Sequence, residues 1–435
     1  MIWNEEKECA NPAGRKAQQS ESLARLIKKI YEKVPFYRQK FDQAGVKPSD
    51  IQSIDDIVKL PFTTKDELRE TYPYGLVACP REELTEIHIS SGTTGIPVVG
   101  GYTEQDVKCW GEVMARSLVM AGAGPGDVIH NAYGYGMFTG GLGAHYGAMA
   151  LGANVLPVSG GNTHRQVQLL KDFKATYLTC TPSYALHIAE YARDTKTDMS
   201  QLALKGGLFG AEPWTQEMRQ ELEQRLRIKA YDVYGLTEVI GPGVANECVH
   251  QNGLHVQEDY FYPEIINPDT GEVLPPGQKG ELVLTTLLKE GTPLIRYRTR
   301  DITFIMSGAC SCGRTTIRMH RLMGRTDDML IIRGVNLFPS QIEEILIQLE
   351  ETEPHYQIVV DRGQKYLDEI EVWVEVQERF FSDETKNMEK LRQKISSEMK
   401  SRLGVNALIK LVEPKTIARS EGKAKRVIDK RTLVG

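Results

Sequence analysis

The sequence predicts an α/β protein of more than one domain, and three observations carry that prediction. Between residues 87 and 302 short apolar runs (127–131, 154–157, 176–179, 207–209 and 229–233) alternate with amphipathic stretches. Strands buried on both faces read as continuous apolar runs, and the helices that cover them are apolar on one stripe. Alternation of the two therefore implies parallel strands with helical crossovers. A chain of 435 residues also exceeds the size at which one core usually keeps growing. Finally, the character of the sequence changes twice, to turn-rich antiparallel sequence at 253–256, 271–277 and 280–284, and to a self-contained α+β pattern after residues 324–328. The expected organisation is a large N-terminal domain over 1–326 with mostly parallel sheets and helices, including an N-terminal helical region and a small β-rich subdomain near 245–320. A small α+β domain over 327–435 follows.

Taken in order, residues 19–39 carry Leu23, Leu26, Ile27, Ile30, Tyr31 and Val34 at helical spacing, which predicts a helix. Ser53-Ile54-Asp55-Asp56 and Thr63-Thr64-Lys65-Asp66-Glu67 each place a hydroxyl three residues before an acid, the signature of a capped helix start. After residue 328 the pattern predicts a strand (329–332), a helix (340–349), a hairpin (356–360 with 369–376), a long helix (384–403) and a last strand (407–412). No repeat or low-complexity tract interrupts this order.

Composition excludes several classes. With 41% hydrophobic and 26% charged residues the chain is ordinary globular protein. A net charge of −5, with Lys and Arg spread along the chain, offers no basic face for nucleic acid. No apolar run reaches the roughly 18 residues of a membrane span, and the N-terminus Met1-Ile2-Trp3-Asn4-Glu5-Glu6 is too charged for a signal peptide. The expectation is a cytoplasmic protein. Seven irregularly spaced cysteines argue against a disulfide framework.

The loops carry the chemistry. Ser90-Ser91-Gly92-Thr93-Thr94-Gly95 combines four hydroxyls with two glycines, which suits a loop that approaches phosphate oxygens closely. It is not a Walker loop, because Ile96-Pro97-Val98-Val99 follows in place of a Gly-Lys-Ser/Thr helix start. Five further motifs follow in order: Gly210-Ala211-Glu212-Pro213, Tyr234-Gly235-Leu236-Thr237-Glu238, Tyr297-Arg298-Thr299-Arg300-Asp301, Gly324-Arg325-Thr326-Asp327-Asp328 and Ser420-Glu421-Gly422-Lys423. Together they resemble the adenylate-forming superfamily of acyl- and aryl-CoA synthetases over nearly the whole chain. Asn131-Ala132-Tyr133-Gly134-Tyr135-Gly136-Met137-Phe138-Thr139-Gly140-Gly141 and Arg333-Gly334-Val335-Asn336-Leu337-Phe338-Pro339 resemble its phenylacetate-CoA ligase branch.

The resemblance implies ATP, Mg²⁺ and coenzyme A as cosubstrates and a small aryl acid as the group activated. It also implies a mobile C-terminal cap, no nucleic acid or membrane partner, and a homodimer. Glu238 is expected on Mg²⁺, which prefers hard oxygen ligands, with Thr237 on the phosphates. Asp301 is expected on the ribose hydroxyls, since a carboxylate accepts from both, and Arg325 near the nucleotide charge. Gly210, Ala211, Glu212 and Pro213 would run along adenine, with Tyr234 and Gly235 at its face and Asp232 near its amino group. Lys423 would stabilise charge building at the α-phosphate, and Asp327 would be the hinge about which the cap turns to bring the face near Arg333-Gly334-Val335 to the site.

Two departures from the superfamily pattern stand out: Val98 occupies the place of a lysine, and Arg300 that of the common glycine. Lys65 is a candidate replacement cation on the phosphates. Tyr133, Tyr135 and Phe138 lie among glycines that leave room for a ring, and with Ala211, Val233 and Pro242 they are expected around the aryl group. No Arg or Lys in these motifs would pair with a second carboxylate, which favours a monoacid. The alternatives are another aryl acid (indoleacetate, hydroxyphenylacetate or benzoate), or transfer of the acyl group to a carrier protein or an amine. Separately, Cys310-Ser311-Cys312 with Cys248 and His255 forms a candidate structural zinc set, in which His250 competes with His255.

Overall fold

The computed structural model describes residues 1–90, 96–137, 139–332, 335–362, 368–380 and 385–431. They form two compact units, one of Met1–Cys180, Asp198–Ala211 and Ile228–Arg321, the other of Thr181–Thr197, Glu212–Arg227 and Leu322–Gly435.

After a single helical turn at Glu5–Glu8, the first unit continues with the helix Pro12–Lys33, which starts earlier than hydrophobic spacing predicts. Asn11 caps it through a side-chain bond from the Gly14 N–H, and Pro12 occupies the first turn, where its missing N–H costs nothing. Pro35 stops this helix and starts the next, Pro35–Gln43. Leu23, Leu26, Ile27 and Ile30 are buried, as their spacing predicts. The helix Lys65–Glu70 has the expected capping box between Thr64 and Glu67, whereas Ile54–Lys59 closes as a 3₁₀ turn.

The main sheet of this unit has nine strands among the described residues. Five are parallel, in the spatial order Asn154–Pro157, Val128–Asn131, Tyr177–Cys180, Gly206–Gly210 and Lys229–Leu236. Antiparallel strands Gly241–Glu247, Leu254–Val256, Arg318–Met319 and Ile305–Met306 continue it. The turn-rich stretch is thus divided: part extends the large sheet, and Phe261–Ile266, Gly280–Thr286 and Tyr297–Thr303 pair in a second, antiparallel sheet. Residues 271–277 contribute only a single bridge, Ile266 to Val273. Helices Glu104–Met120 and Gly140–Leu151 pack closely because Gly147 has no side chain; a Cβ there would lie 2.5 Å from Met114 Cβ. A hairpin of Leu84–Ile89 and Val99–Thr103 brackets the hydroxyl-rich loop.

In the second unit a sheet runs in the order Leu408–Val412, Asp368–Val376, Thr352–Arg362 and Val427–Asp429. Its long hairpin sets Tyr356, Ile358 and Val360 opposite Val374, Val372 and Ile370, and these alternate residues form one core with Ile342, Ile345 and Leu346 of Pro339–Ile347 and Ile395 and Met399 of Thr385–Leu403. The strand Val427–Asp429, which adds parallel to Thr352–Arg362, is missing from the sequence prediction. Three residues beside a run of charges give no periodicity to read. Helices Pro182–Asp194 and Gln216–Leu226 complete the unit.

Candidate active site

Gly210-Ala211 and Tyr234–Glu238 stand at the carboxyl ends of adjacent parallel strands, the usual position of ligand sites in open α/β sheets, and Asp301 joins them from the antiparallel sheet through Tyr234. The strand ending at Gly210 runs beside the strand carrying Val233, and a Cβ at Gly210 would lie 2.1 Å from the Val233 carbonyl oxygen. Only glycine fits. Ala211 then turns the chain with φ +72°, a left-handed conformation costly for a residue with a side chain. Gly235 is under the same constraint, since a Cβ there would lie 1.8 Å from the Gly241 carbonyl oxygen.

Three residues before Gly235, Asp232 is buried, and its N–H donates to Glu247 Oε2 at 2.9 Å. Tyr234 Oη donates to Asp301 Oδ2 at 2.6 Å, and both residues are buried, at 6% and 2% exposure. Arg300, which precedes Asp301, has φ +66°. That value explains why glycine suits the position, and the Arg300 guanidinium lies 3.6 Å from Asp66.

Glu238 is buried, and Lys65 Nζ approaches its Oε1 at 3.2 Å. Thr237 Oγ1 is 3.3 Å from Thr139 Oγ1, and its carbonyl accepts from Tyr102 Oη at 3.3 Å. Sequence reasoning missed the support beneath this turn. Buried Lys289 donates from Nζ to the Val239 carbonyl at 2.7 Å and stands 4.2 Å from the Tyr102 ring centroid. Burial pushes its ammonium down to about 8, against the pull of Asp106 and Glu238. Leu288-Lys289-Glu290 belongs to no recognisable motif, so no sequence signal marks it.

Val98 is 1% exposed, a packing position, and its N–H donates to Ser90 Oγ at 3.3 Å. Ser91, Gly92, Thr93, Thr94 and Gly95 lie outside the described residues, as do Phe138, Arg333 and Gly334.

Of the expected aryl-pocket residues, Tyr133 and Val233 are buried, and Pro242 accepts from Trp110 Nε1 at 3.0 Å through its carbonyl. Tyr135 is tied to polar groups: its Oη accepts from Asn131 Nδ2 at 2.6 Å and lies 3.1 Å from His145 Nδ1.

In the second unit, Lys423 lies exposed in the loop before the strand Val427–Asp429. Arg325 Nε donates to Asp327 Oδ1 at 2.9 Å, so the expected nucleotide-facing arginine and the expected hinge residue are paired. Glu212 and Pro213 also fall in this unit.

Cys248, His255, Cys310 and Cys312 come together, with all four donor atoms within 4.8 Å of one another. The structure thereby selects His255 over His250. The Cys248 and Cys310 sulfurs are 3.7 Å apart, too far for a disulfide and close to the roughly 3.8 Å edge of a tetrahedron with 2.3 Å zinc–sulfur bonds. His255 Nε2 lies 3.4 Å from Cys312 Sγ while Nδ1 is held by Thr316 Oγ1 at 2.9 Å, the outer hydrogen bond that orients a ligating imidazole. Burial, followed by Arg314 and Arg318, pushes His255 down to about 3, keeping it neutral. The donor set and geometry fit zinc.

A mixed sheet with five adjacent parallel strands and strand-end glycine turns, a buried carboxylate beside a lysine, and a tyrosine-bound aspartate are the features of an AMP-binding enzyme. The family described as AMP-binding enzyme matches residues 17–286, and the AMP-binding enzyme C-terminal domain matches residues 334–431. Phenylacetate-coenzyme A ligase of Thermus thermophilus is 50% identical over 99% of this chain and 100% of its own length, and that of Escherichia coli 50% identical over 96% and 95%. A crystal structure of 2-hydroxyisobutyryl-CoA ligase in the postadenylation state, in complex with R3-HIB-AMP, superposes with a TM-score of 0.93 at 31% identity, covering 99% of this chain and 93% of that one. The chain belongs to the phenylacetate-coenzyme A ligases, a branch of the AMP-binding enzymes.

Proposed function

We propose that the protein joins phenylacetate to coenzyme A at the expense of ATP, through an acyl-adenylate, releasing AMP and pyrophosphate. The observation that carries this reading is 50% identity over 99% of the chain to a ligase of that name. In the first half-reaction the acid's carboxylate attacks the α-phosphorus and pyrophosphate leaves. In the second, the thiol of coenzyme A attacks the acyl carbon and AMP leaves.

Lys423 neutralises the charge that grows on the α-phosphate in the first step. Asp301, steadied by Tyr234, accepts from the ribose hydroxyls. The turn 210–213, with Asp232, Tyr234 and Gly235, holds adenine, and Arg325 faces the nucleotide charge. Ser90 and the glycine- and hydroxyl-rich residues after it, with Thr237, receive the phosphates, and Lys65 takes the place of the cation absent at Val98. Glu238 would hold Mg²⁺, which when bound spreads the negative charge of the polyphosphate. The salt bridge from Lys65 supports both assignments, because it places a cation and an anion side by side for a ligand bearing phosphates and a metal.

Tyr133, Tyr135, Phe138, Ala211, Val233 and Pro242 surround the ring of the acid. Residues 327–435 act as a cap that turns about Asp327 between the two steps. The cluster of Cys248, His255, Cys310 and Cys312 binds one structural zinc, supported by the sulfur–sulfur distance and the outer bond to Thr316. The same reading makes the protein a cytoplasmic homodimer.

The test separates the half-reactions. Lys423→Ala is expected to lose phenylacetate-dependent exchange of pyrophosphate into ATP while still converting preformed phenylacetyl-adenylate and coenzyme A to thioester. Equal loss of both steps overturns the assignment of Lys423. Turnover of indoleacetate or benzoate in preference to phenylacetate overturns the choice of acid, and turnover only with a carrier protein or an amine overturns the choice of acceptor.

A further inference from the structure

Lys423 sits on an exposed loop, and a long, flexible side chain on such a loop is a poor electrostatic catalyst unless its backbone is held, because catalysis of this kind depends on preorganised charge. The second unit supplies the hold. On one side of Lys423, the Gly422 carbonyl accepts from Thr181 Oγ1 at 2.9 Å. On the other, the Ala424 N–H donates to Glu212 Oε2 at 2.9 Å. Both partners belong to the start of one helix: Thr181 is the N-cap of Pro182–Asp194, and the other Glu212 oxygen, Oε1, accepts from the Ser183 N–H in its first turn at 2.8 Å.

The Glu212 carboxylate therefore bridges a helix N-terminus, where unpaired N–H groups and the helix dipole favour an anion, to the peptide that follows Lys423. Within the loop, Ser420 Oγ donates to the Lys423 carbonyl at 2.8 Å. At its base, Arg419 is fixed by Glu375 through two bonds of 2.8 Å and by Glu190 at 2.9 Å.

We propose that Glu212 and Thr181 are positioning residues for Lys423, gripping the peptides on either side of it so that its ammonium is presented for adenylation. This inference rests on the reading of Lys423 as the residue at the α-phosphate. It gives the Glu212 side chain a use different from lining adenine.

Two N–H donors converge on the two Glu212 oxygens, and an amide has only one acceptor oxygen, so Glu212→Gln loses one of the two bonds at nearly unchanged shape. Loss of one bond to a charged group predicts a fall in kcat for pyrophosphate exchange on the order of 10- to 100-fold. The KM for ATP should stay within about twofold, because positioning a group used in the transition state leaves ground-state binding alone. In a Lys423→Ala background the same substitution should cost less than about twofold, since a positioning residue has nothing left to position.

A comparable additional loss in both backgrounds overturns the proposal, as does a raised KM for ATP with kcat intact, which would make Glu212 a nucleotide contact. A Lys423→Ala variant with full exchange activity removes the underlying reading and the grip with it. Should Glu212→Gln fail to fold, Thr181→Val and Thr181→Ser pose the same question from the other side. Valine removes the donor to Gly422, and serine restores it together with the helix cap. The proposal requires loss of exchange with valine and recovery with serine, and equal activity of the two overturns it.

Discussion

The Tyr234–Asp301 pair offers a direct test of how the site is held. Tyr234→Phe removes one oxygen and leaves the ring in place, so packing is conserved and the loss isolates a single hydrogen bond. That bond is short, 2.6 Å, and ends on a carboxylate that is 2% exposed. Hydrogen bonds to charged groups contribute about 1.5–3 kcal/mol, and little water can reach Asp301 to replace the donor. The variant should therefore lose about 1.5–3 kcal/mol of stability in equilibrium urea unfolding without nucleotide. Saturating ATP should narrow that gap, because the ribose hydroxyls then donate to the oxygen that lost its partner. A stability change below about 0.5 kcal/mol would refute the energetic reasoning, being the size of an ordinary surface substitution. A gap that ATP leaves untouched would refute the ribose assignment of Asp301.

Other measurements probe different parts of the structure. Gly210→Ala drives a Cβ to 2.1 Å from the Val233 carbonyl oxygen, and the forced shift of backbone should cost about 3 kcal/mol in the same unfolding assay; a neutral substitution would show that the strand end yields. Protein purified without chelator should contain close to one equivalent of zinc, and Cys312→Ser should lower both metal content and thermal stability; less than about half an equivalent in the parent protein removes the zinc site. Lys289 gives a pH dependence of definite sign. Its ammonium is pushed down to about 8 in the fold from an unfolded value near 10.5, so the penalty for burying it is full at pH 7 and is relieved as pH rises through 8 towards 10.5. Lys289→Met lacks that penalty, so the stability difference between parent and variant should shift in favour of the parent from pH 7 to 10. A difference constant across that range refutes the depressed value.

The alternation of apolar runs and amphipathic helices, the capping boxes and the glycine turns are local properties, and the sequence alone determined them. The central parallel strands Tyr177–Cys180 and Gly206–Gly210 appear where apolar runs predict them because they are buried on both faces, which demands a nearly continuous apolar composition. Thr64 and Glu67 cap a helix because both partners lie within one turn. Gly210 and Gly235 stand where a neighbouring strand leaves no room for a side chain, and the motifs containing them are legible in the sequence.

Tertiary structure decided what depends on residues far apart in the chain. Lys289 reaches the Val239 carbonyl across 50 positions, and a lone lysine in an unremarkable stretch carries no local trace of that contact. His255 rather than His250 joins the cysteines because sheet pairing places Arg318 opposite His255 and fixes the loop that carries Cys310 and Cys312. The strand Val427–Asp429 exists because the edge of Thr352–Arg362 offers it hydrogen bonds, since three residues have little propensity of their own. Glu212 lies in a motif that sequence assigns to adenine, yet its carboxylate faces the peptide of Ala424, 212 residues on. Composition and spacing report the short-range terms of the energy. Which distant partner satisfies a buried charge or an open N–H is settled only when the chain closes on itself.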